Sequence, residues 1–158
     1  MLVLYINTNM KDYSLYSDQI EDVLKNIKGF AGVFPRDMRP HKKMHRLESG
    51  VFNLGASNTG GTHWVCYYND PKRNVVEWFD SFGSPPPEEP LAYLRTSGKP
   101  IAYNDWQFQA FDASVCGYFC IYYIRERAKG KSQYDIIYSF NPNNLRQNDE
   151  FVLKKVKL

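Results

Sequence analysis

Two short runs of β-branched and aromatic residues, Thr62–Tyr68 (THWVCYY) and Asn74–Asp80 (NVVEWFD), flank the pentapeptide Asn69–Arg73 (NDPKR). Side chains of this kind favour a pleated, half-buried strand, and Asn, Asp and Pro between them favour chain reversal. The pattern predicts an antiparallel hairpin, and the hairpin constrains whatever else it carries. With the turn centred between Pro71 and Lys72, residue i pairs with residue 143 − i, which sets His63 opposite Asp80. Directly opposed residues have Cα atoms about 5 Å apart and side chains on the same face. A carboxylate so placed fixes the tautomer of an imidazole and stabilises its protonated form. A slip of one residue would send the two side chains to opposite faces.

The other periodicities build around that hairpin. Ile20, Val23, Leu24 and Ile27 form a helical stripe over Asp18–Lys28, opened by Ser17/Asp18 with Glu21 as capping-box partner and closed at Gly29. Gly29–Pro40 (GFAGVFPRDMRP) is punctuated by Gly and Pro and reads as a loop, whereas Leu47–Leu54 reads as a strand and Asn58–Gly61 as a turn. Gly83–Pro90 (GSPPPEEP) is too rich in proline for a regular element, and a short helix is expected at Leu91–Thr96. Pro100–Tyr103 adds a strand. Val115–Lys129 reads as a helix with Arg125, Arg127 and Lys129 in its last turn and Gly130 past its end. Asn143–Val152 is a further helix, and the final KKVKL reads as a loosely docked end. The expectation is one α+β domain over residues 1–158, a small mixed β-sheet flanked by helices.

Composition removes several function classes. With 43% hydrophobic and 23% charged residues, the chain has the makings of a packed core rather than a disordered tract. It lacks an apolar run of about eighteen residues, and Met1–Ile6 is short for a secretory leader. The expected location is the cell interior, neither secreted nor membrane-spanning. Cys66, Cys116 and Cys120 are odd in number and lack zinc-type pairing, which favours a reducing compartment and no metal. His41 and His45 stand four apart, as metal ligands on a helix can, yet Pro40 and the adjacent lysines favour a solvated turn. Arg36, Arg39, Lys42, Lys43 and Arg46 are candidates for polyanion binding, with a solvated basic loop the favoured alternative.

The chemistry gathers at one cysteine. Cys116 starts a predicted helix, whose N-terminus offers partial positive charge and unpaired N–H groups to a thiolate. Gly117 would let a substrate approach the backbone, and the Cys116 N–H would face a developing oxyanion. Gln109, seven residues before Cys116, carries a second donor in its side-chain amide, with Gln107 as the competing candidate. Taken singly, these residues read as a core thiol, a sheet histidine, a turn aspartate and a solvated glutamine. Taken together they describe a nucleophile, a base, an orienting acid and an oxyanion donor.

GGTHW (Gly60–Trp64), FDSFGSP (Phe79–Pro85) and QAFDASVCGYFC (Gln109–Cys120) resemble the three motifs of the adenovirus-type maturation cysteine protease (adenain) family. GFAGVFPRDMRP resembles the opening segment of SUMO-deconjugating proteases in the wider clan. The resemblance implies an adenain/SUMO-protease-like fold. It also implies an endopeptidase that cuts capsid and core precursor proteins after small residues, at Gly-Gly or Gly-X sites. His63 would be the general base, Asp80 its orienter where adenoviruses more often show Glu, Cys116 the nucleophile and Gln109 part of the oxyanion hole, with Trp64 on or near the imidazole. The family's activating peptide is disulfide-linked to a cysteine between the acid and the glutamine, and this chain has none there. It is expected to require no cofactor, with any DNA or peptide activator bound non-covalently. It is also expected to be a monomer in the virion and in the host nucleus or cytoplasm, with no membrane partner. The alternatives are a deconjugase for a ubiquitin-like modifier and an inactive module that binds DNA through the basic loop.

Overall fold

A computed structural model describes residues 11–55 and 63–158, so the turn expected at Asn58–Gly61 and the leader question at Met1–Ile6 lie outside the described residues. Five strands follow chain order across one mixed sheet: β1 (Phe30–Pro35), β2 (Glu48–Asn53), β3 (Trp64–Asn69), β4 (Val76–Phe79) and β5 (Ile101–Tyr103). The β2/β3 and β3/β4 pairs are antiparallel, and the outer pairs β1/β2 and β4/β5 are parallel. Helices α1 (Ser17–Leu24), α2 (Glu88–Arg95), α3 (Cys116–Ala128), α4 (Gln133–Tyr138) and α5 (Leu145–Lys155) complete the α+β arrangement that the periodicities predict.

Strand alternation divides the core between the two faces of the sheet. Val65, Tyr67, Val76 and Trp78 pack with Phe52, Tyr93 and Leu94 under α2. Cys66, Tyr68 and Phe79 pack on the opposite face with Ile20 and Leu24 of α1, Phe119 and Tyr123 of α3, and Val152 of α5. Helix α3 is enclosed by the sheet and by α1, α4 and α5, which is why it is apolar on nearly every side. Its buried position fixes Cys116 at its first turn.

The hairpin forms in a different register. Cys66 pairs with Phe79, Tyr68 with Glu77 and Asn69 with Val76, so residue i meets 145 − i. The connection over residues 70–75 folds on Asp70, whose Oδ1 accepts the Lys72 N–H and whose carbonyl accepts the Arg73 N–H. A displacement of two residues preserves the face of every side chain. His63 and Asp80 therefore stay on one side of the sheet, while Phe82 moves level with His63.

GFAGVFPRDMRP is a further correction, since it supplies edge strand β1 rather than a loop. The ladder is irregular between Phe30 and Val33, around Gly32 at φ 131°, and Pro35 closes the strand at the sheet edge, where its missing N–H costs no ladder bond. At the start of α1, Gln19 rather than Glu21 accepts the Tyr16 N–H, at 2.8 Å. Helix α2 begins at Glu88, ahead of the expected start, because Pro90 in a first turn forfeits no helical hydrogen bond. Helix α4 was not expected. The C-terminal end is anchored, since Val156 is buried in the core. Among the described residues no helix is long and apolar enough to cross a membrane.

Candidate active site

Strand β3 and the turn after β4 bring the hairpin residues to the first turn of α3. His63 Nε2 lies 2.7 Å from Asp80 Oδ1, and the imidazole is 11% exposed. The same Oδ1 accepts the Phe82 N–H at 2.8 Å. Asn104 clamps the Asp80 backbone, donating from Nδ2 to its carbonyl at 2.6 Å and accepting its N–H at 3.1 Å. With Nε2 committed to Asp80, Nδ1 is the imidazole nitrogen left for Cys116. Burial works to lower the pKa of His63; the hydrogen bond to Asp80 and the neighbouring Cys116 thiol outweigh it and raise the pKa to about 9. The protonated imidazole is thus the form this pocket favours.

Cys116 sits half-buried at the first residue of α3, where the helix N-terminus favours negative charge. Its Sγ accepts the Trp64 N–H at 3.4 Å. Trp64 anchors elsewhere, donating from Nε1 to the Leu15 carbonyl, and the ring that stacks on His63 is Phe82, with centroids 4.6 Å apart. Trp64 thus supports the sulfur beside the imidazole, and its ring packs against the core. Gly117 also departs from expectation: it is buried, and a Cβ there would press on Leu15 at 3.1 Å and Trp64 at 3.3 Å, so its space is filled by the protein itself. Cys66 and Cys120 are buried free thiols, and burial pushes the Cys120 thiol well up. Cys116 is the accessible one of the three.

Gln109 lines the same cleft of about 610 Å³ as His63 and Cys116. Its Nε2 donates to the Ala113 carbonyl at 2.6 Å, and its Oε1 accepts the Ser81 hydroxyl at 2.6 Å. A carbonyl can only accept, so this pair fixes the amide orientation and leaves one Nε2 hydrogen uncommitted by these two bonds. Gln107 lies outside the cleft and donates to the Gln109 carbonyl. From behind, α5 braces the segment: Asn148 Nδ2 donates to the Phe108 carbonyl, and the Asp149 carboxylate accepts the Ala110 N–H. Burial lifts the Asp149 pKa to about 6, against the lowering effect of that Ala110 bond.

His63, Asp80, Cys116 and Gln109 are therefore brought together, while the five basic residues are not part of the cleft lining, and Arg36 is paired to Glu89 of α2 at 2.7 Å. Arg39, Lys42, Lys43 and Arg46 are exposed. Ser81, Phe82, Asn104 and Asp149 went unread in the sequence. The first two stand directly after Asp80 in FDSFG, where a turn beside a buried acid was the available signal.

No family model matches the chain. Among curated proteins it is similar to the Protease of bovine adenovirus 7, at 26% identity over 157 residues covering 82% of this chain and 77% of that protein. It is also similar to the Protease of avian adenovirus 8, at 35% identity over 54 residues, 34% of this chain and 26% of that protein. Among solved structures, a protease from ASFV superposes with a TM-score of 0.63 at 16% identity, covering 88% of this chain. The chain spans 66% of that ASFV protease, a little under two thirds of its length. The SUMO protease Ulp1, with its catalytic cysteine oxidised to a sulfinic acid, gives a TM-score of 0.50 at 14% identity over 90% of this chain and 78% of its own.

Proposed function

We propose that this chain, a cysteine-type peptidase related to the adenovirus proteases, is an endopeptidase that processes viral or virus-like capsid and core precursor proteins. The observation that carries the reading is the 2.7 Å contact between His63 and Asp80 in a cleft that also contains Cys116 at a helix start. In this reading the Cys116 thiolate attacks the scissile carbonyl carbon while the His63 imidazolium holds the proton it has taken from sulfur. The Cys116 N–H and the Gln109 amide donate to the oxyanion. The tetrahedral species collapses as His63 delivers its proton to the leaving amine, giving an acyl-thioester. Neutral His63 then takes a proton from water as the water attacks the thioester, and returns it to the departing sulfur.

Substrates with small residues before the cut, of Gly-Gly or Gly-X type, fit a cleft walled by Leu15, Phe34, Trp64, Phe82 and Phe111. Any peptide or DNA activator binds non-covalently, and Arg39, Lys42, Lys43 and Arg46 form the surface on which DNA would be held by phosphate contacts. About four neutralised phosphates give a slope of log affinity against log salt near −4.

The test is a peptide-library assay run beside ubiquitin-like fluorogenic conjugates. Preferential cleavage of short peptides after Gly is the expected result. Preference for the folded conjugates would favour the deconjugase reading, and no turnover of either would favour the inactive DNA-binding module.

A further inference from the structure

Away from the cleft, the crossover from β1 to β2 brings two imidazoles onto a buried carboxylate. His41 and His45 stack with ring centroids 3.9 Å apart at an interplanar angle of 11°. Glu48, the first residue of β2, is 1% exposed. Its Oε2 accepts the Tyr67 hydroxyl at 2.6 Å and the Tyr93 hydroxyl at 2.7 Å. Its Oε1 accepts the His45 backbone N–H at 3.0 Å and lies 3.7 Å from His41 Nε2. One carboxylate oxygen is thus locked from below by two phenols, and the other meets the His45 backbone N–H and faces the His41 imidazole, on which the His45 ring stacks.

A buried carboxylate is costly unless it meets positive charge, and the groups hydrogen-bonded to Glu48 are two phenols and a backbone N–H, which leaves the His41 imidazole at 3.7 Å as the one partner among these contacts that can carry a charge. The donor atoms of His41, His45 and Glu48 lie within 4.8 Å of one another. Around a zinc ion with ligand bonds of about 2.0–2.2 Å, tetrahedral donors sit about 3.3 Å apart, so separations of up to 4.8 Å must close by at most about 1.5 Å. His45 is exposed, and rotating its ring turns two parallel lone pairs into converging ones. The phenols supply the outer hydrogen bonds that fix a metal-ligating carboxylate.

We propose that His41, His45 and Glu48 form a site for one zinc-class divalent cation, completed by solvent, which fastens the β1–β2 crossover to the sheet and to α2. Two imidazoles and a carboxylate suit zinc and its first-row neighbours rather than calcium or magnesium, which take oxygen ligands. The ion would add positive charge beside Lys42, Lys43 and Arg46 and would lie outside the proteolytic cleft.

Calorimetric titration with zinc chloride, and optical titration with cobalt(II), test the site in a Cys116→Ala background, which removes the catalytic thiol as a rival ligand. One equivalent is expected to bind, and the cobalt form should lack thiolate charge-transfer absorption. His41→Ala and His45→Ala should each weaken binding at least tenfold without altering the circular dichroism spectrum. Tyr93→Phe, which removes an outer hydrogen bond, should weaken it by about tenfold. Absence of binding up to millimolar zinc would overturn the proposal. So would affinity unchanged in both histidine variants, or a cobalt spectrum carrying a thiolate band. If Tyr93→Phe fails to fold, the histidine variants decide the matter.

Discussion

Strand β4 and the turn that follows it carry two buried carboxylates three residues apart, Glu77 and Asp80, and the chain treats them in opposite ways. Glu77 is saturated. It accepts bonds from Arg127 Nε at 2.8 Å, Arg127 Nη2 at 3.1 Å, Arg73 Nη1 at 2.9 Å and the Tyr123 hydroxyl. Arg127 also reaches Asp70 at 2.8 Å and lies over the Tyr68 ring; burial works to lower its pKa, but the bonds to Glu77 and then to Asp70 outweigh it and push the pKa further up from a value already high. Arg127 therefore keeps its charge through the neutral range. Asp80 instead spends one oxygen on a titratable imidazole at the edge of a cleft. The contrast teaches that a buried charge with permanent partners fastens the fold, whereas a buried charge whose partner can gain and lose a proton serves chemistry.

The two sites should fail differently. The largest effect belongs to the cleft: Cys116→Ala and His63→Ala should each lower kcat/KM by about four orders of magnitude or more, with Tm close to that of the parent. Comparable losses on substituting Cys66 or Cys120 instead would break the distinction. Next, Arg127→Ala leaves Glu77 short of its main counter-charge and should destabilise by about 3–5 kcal/mol in chemical unfolding, the usual cost of breaking a buried pair from one side. Turnover per folded molecule should hold. Pairing Arg127→Met with Glu77→Gln should recover part of the loss, because no uncompensated charge then stays buried; a double variant worse than the single would contradict this.

Asp80→Asn should be milder, costing about one to two orders of magnitude in kcat/KM, since the ring position survives while imidazolium stabilisation weakens. The pH profile sharpens the point. The raised pKa of His63 means that its stabilising contribution is complete below about 6.5 and is lost as pH rises through about 9. The alkaline limb of kcat/KM should follow that loss, and Asp80→Asn should move the limb to lower pH. An unmoved limb would detach Asp80 from the titration.

The smallest effect concerns Asp149, behind the Gln109 segment. Its pKa is raised to about 6, so the fold favours the protonated form, and that contribution is complete below about pH 4 and lost through about pH 6. Asp149→Asn should therefore raise Tm near about pH 8 and change it little near about pH 4. A lower Tm at the higher pH would show that the ionised carboxylate is needed on Ala110.

Much of this was legible in the sequence, and the gaps have identifiable causes. The order His63, Asp80, Gln109, Cys116 could be read because each residue type is uncommon in its chemical role and their spacing restricts the alternatives. The hairpin register was misplaced by two because Asp70 organises a longer connection than the turn signal implied. Strand β1 was hidden by the Gly and Pro that fit it to a sheet edge. Glu48 gave no sign in ESGVF that it would be buried against two phenols, because Tyr67 and Tyr93 reach it only through the fold. Ser81 escaped notice because its partner Gln109 lies 28 residues further on, beyond α2 and β5.

The most direct test of the central claim is the rate at which each cysteine is alkylated by iodoacetamide near about pH 6, followed by peptide mass in the parent and in His63→Ala; few ordinary thiols are ionised at that pH. Cys116 should react first, slowing at least about tenfold without the imidazole, while Cys66 and Cys120 stay unmodified until the chain is unfolded. Labelling that begins at Cys66 or Cys120, or a Cys116 rate indifferent to His63, would contradict the thiolate–imidazolium pair on which the proposed chemistry rests.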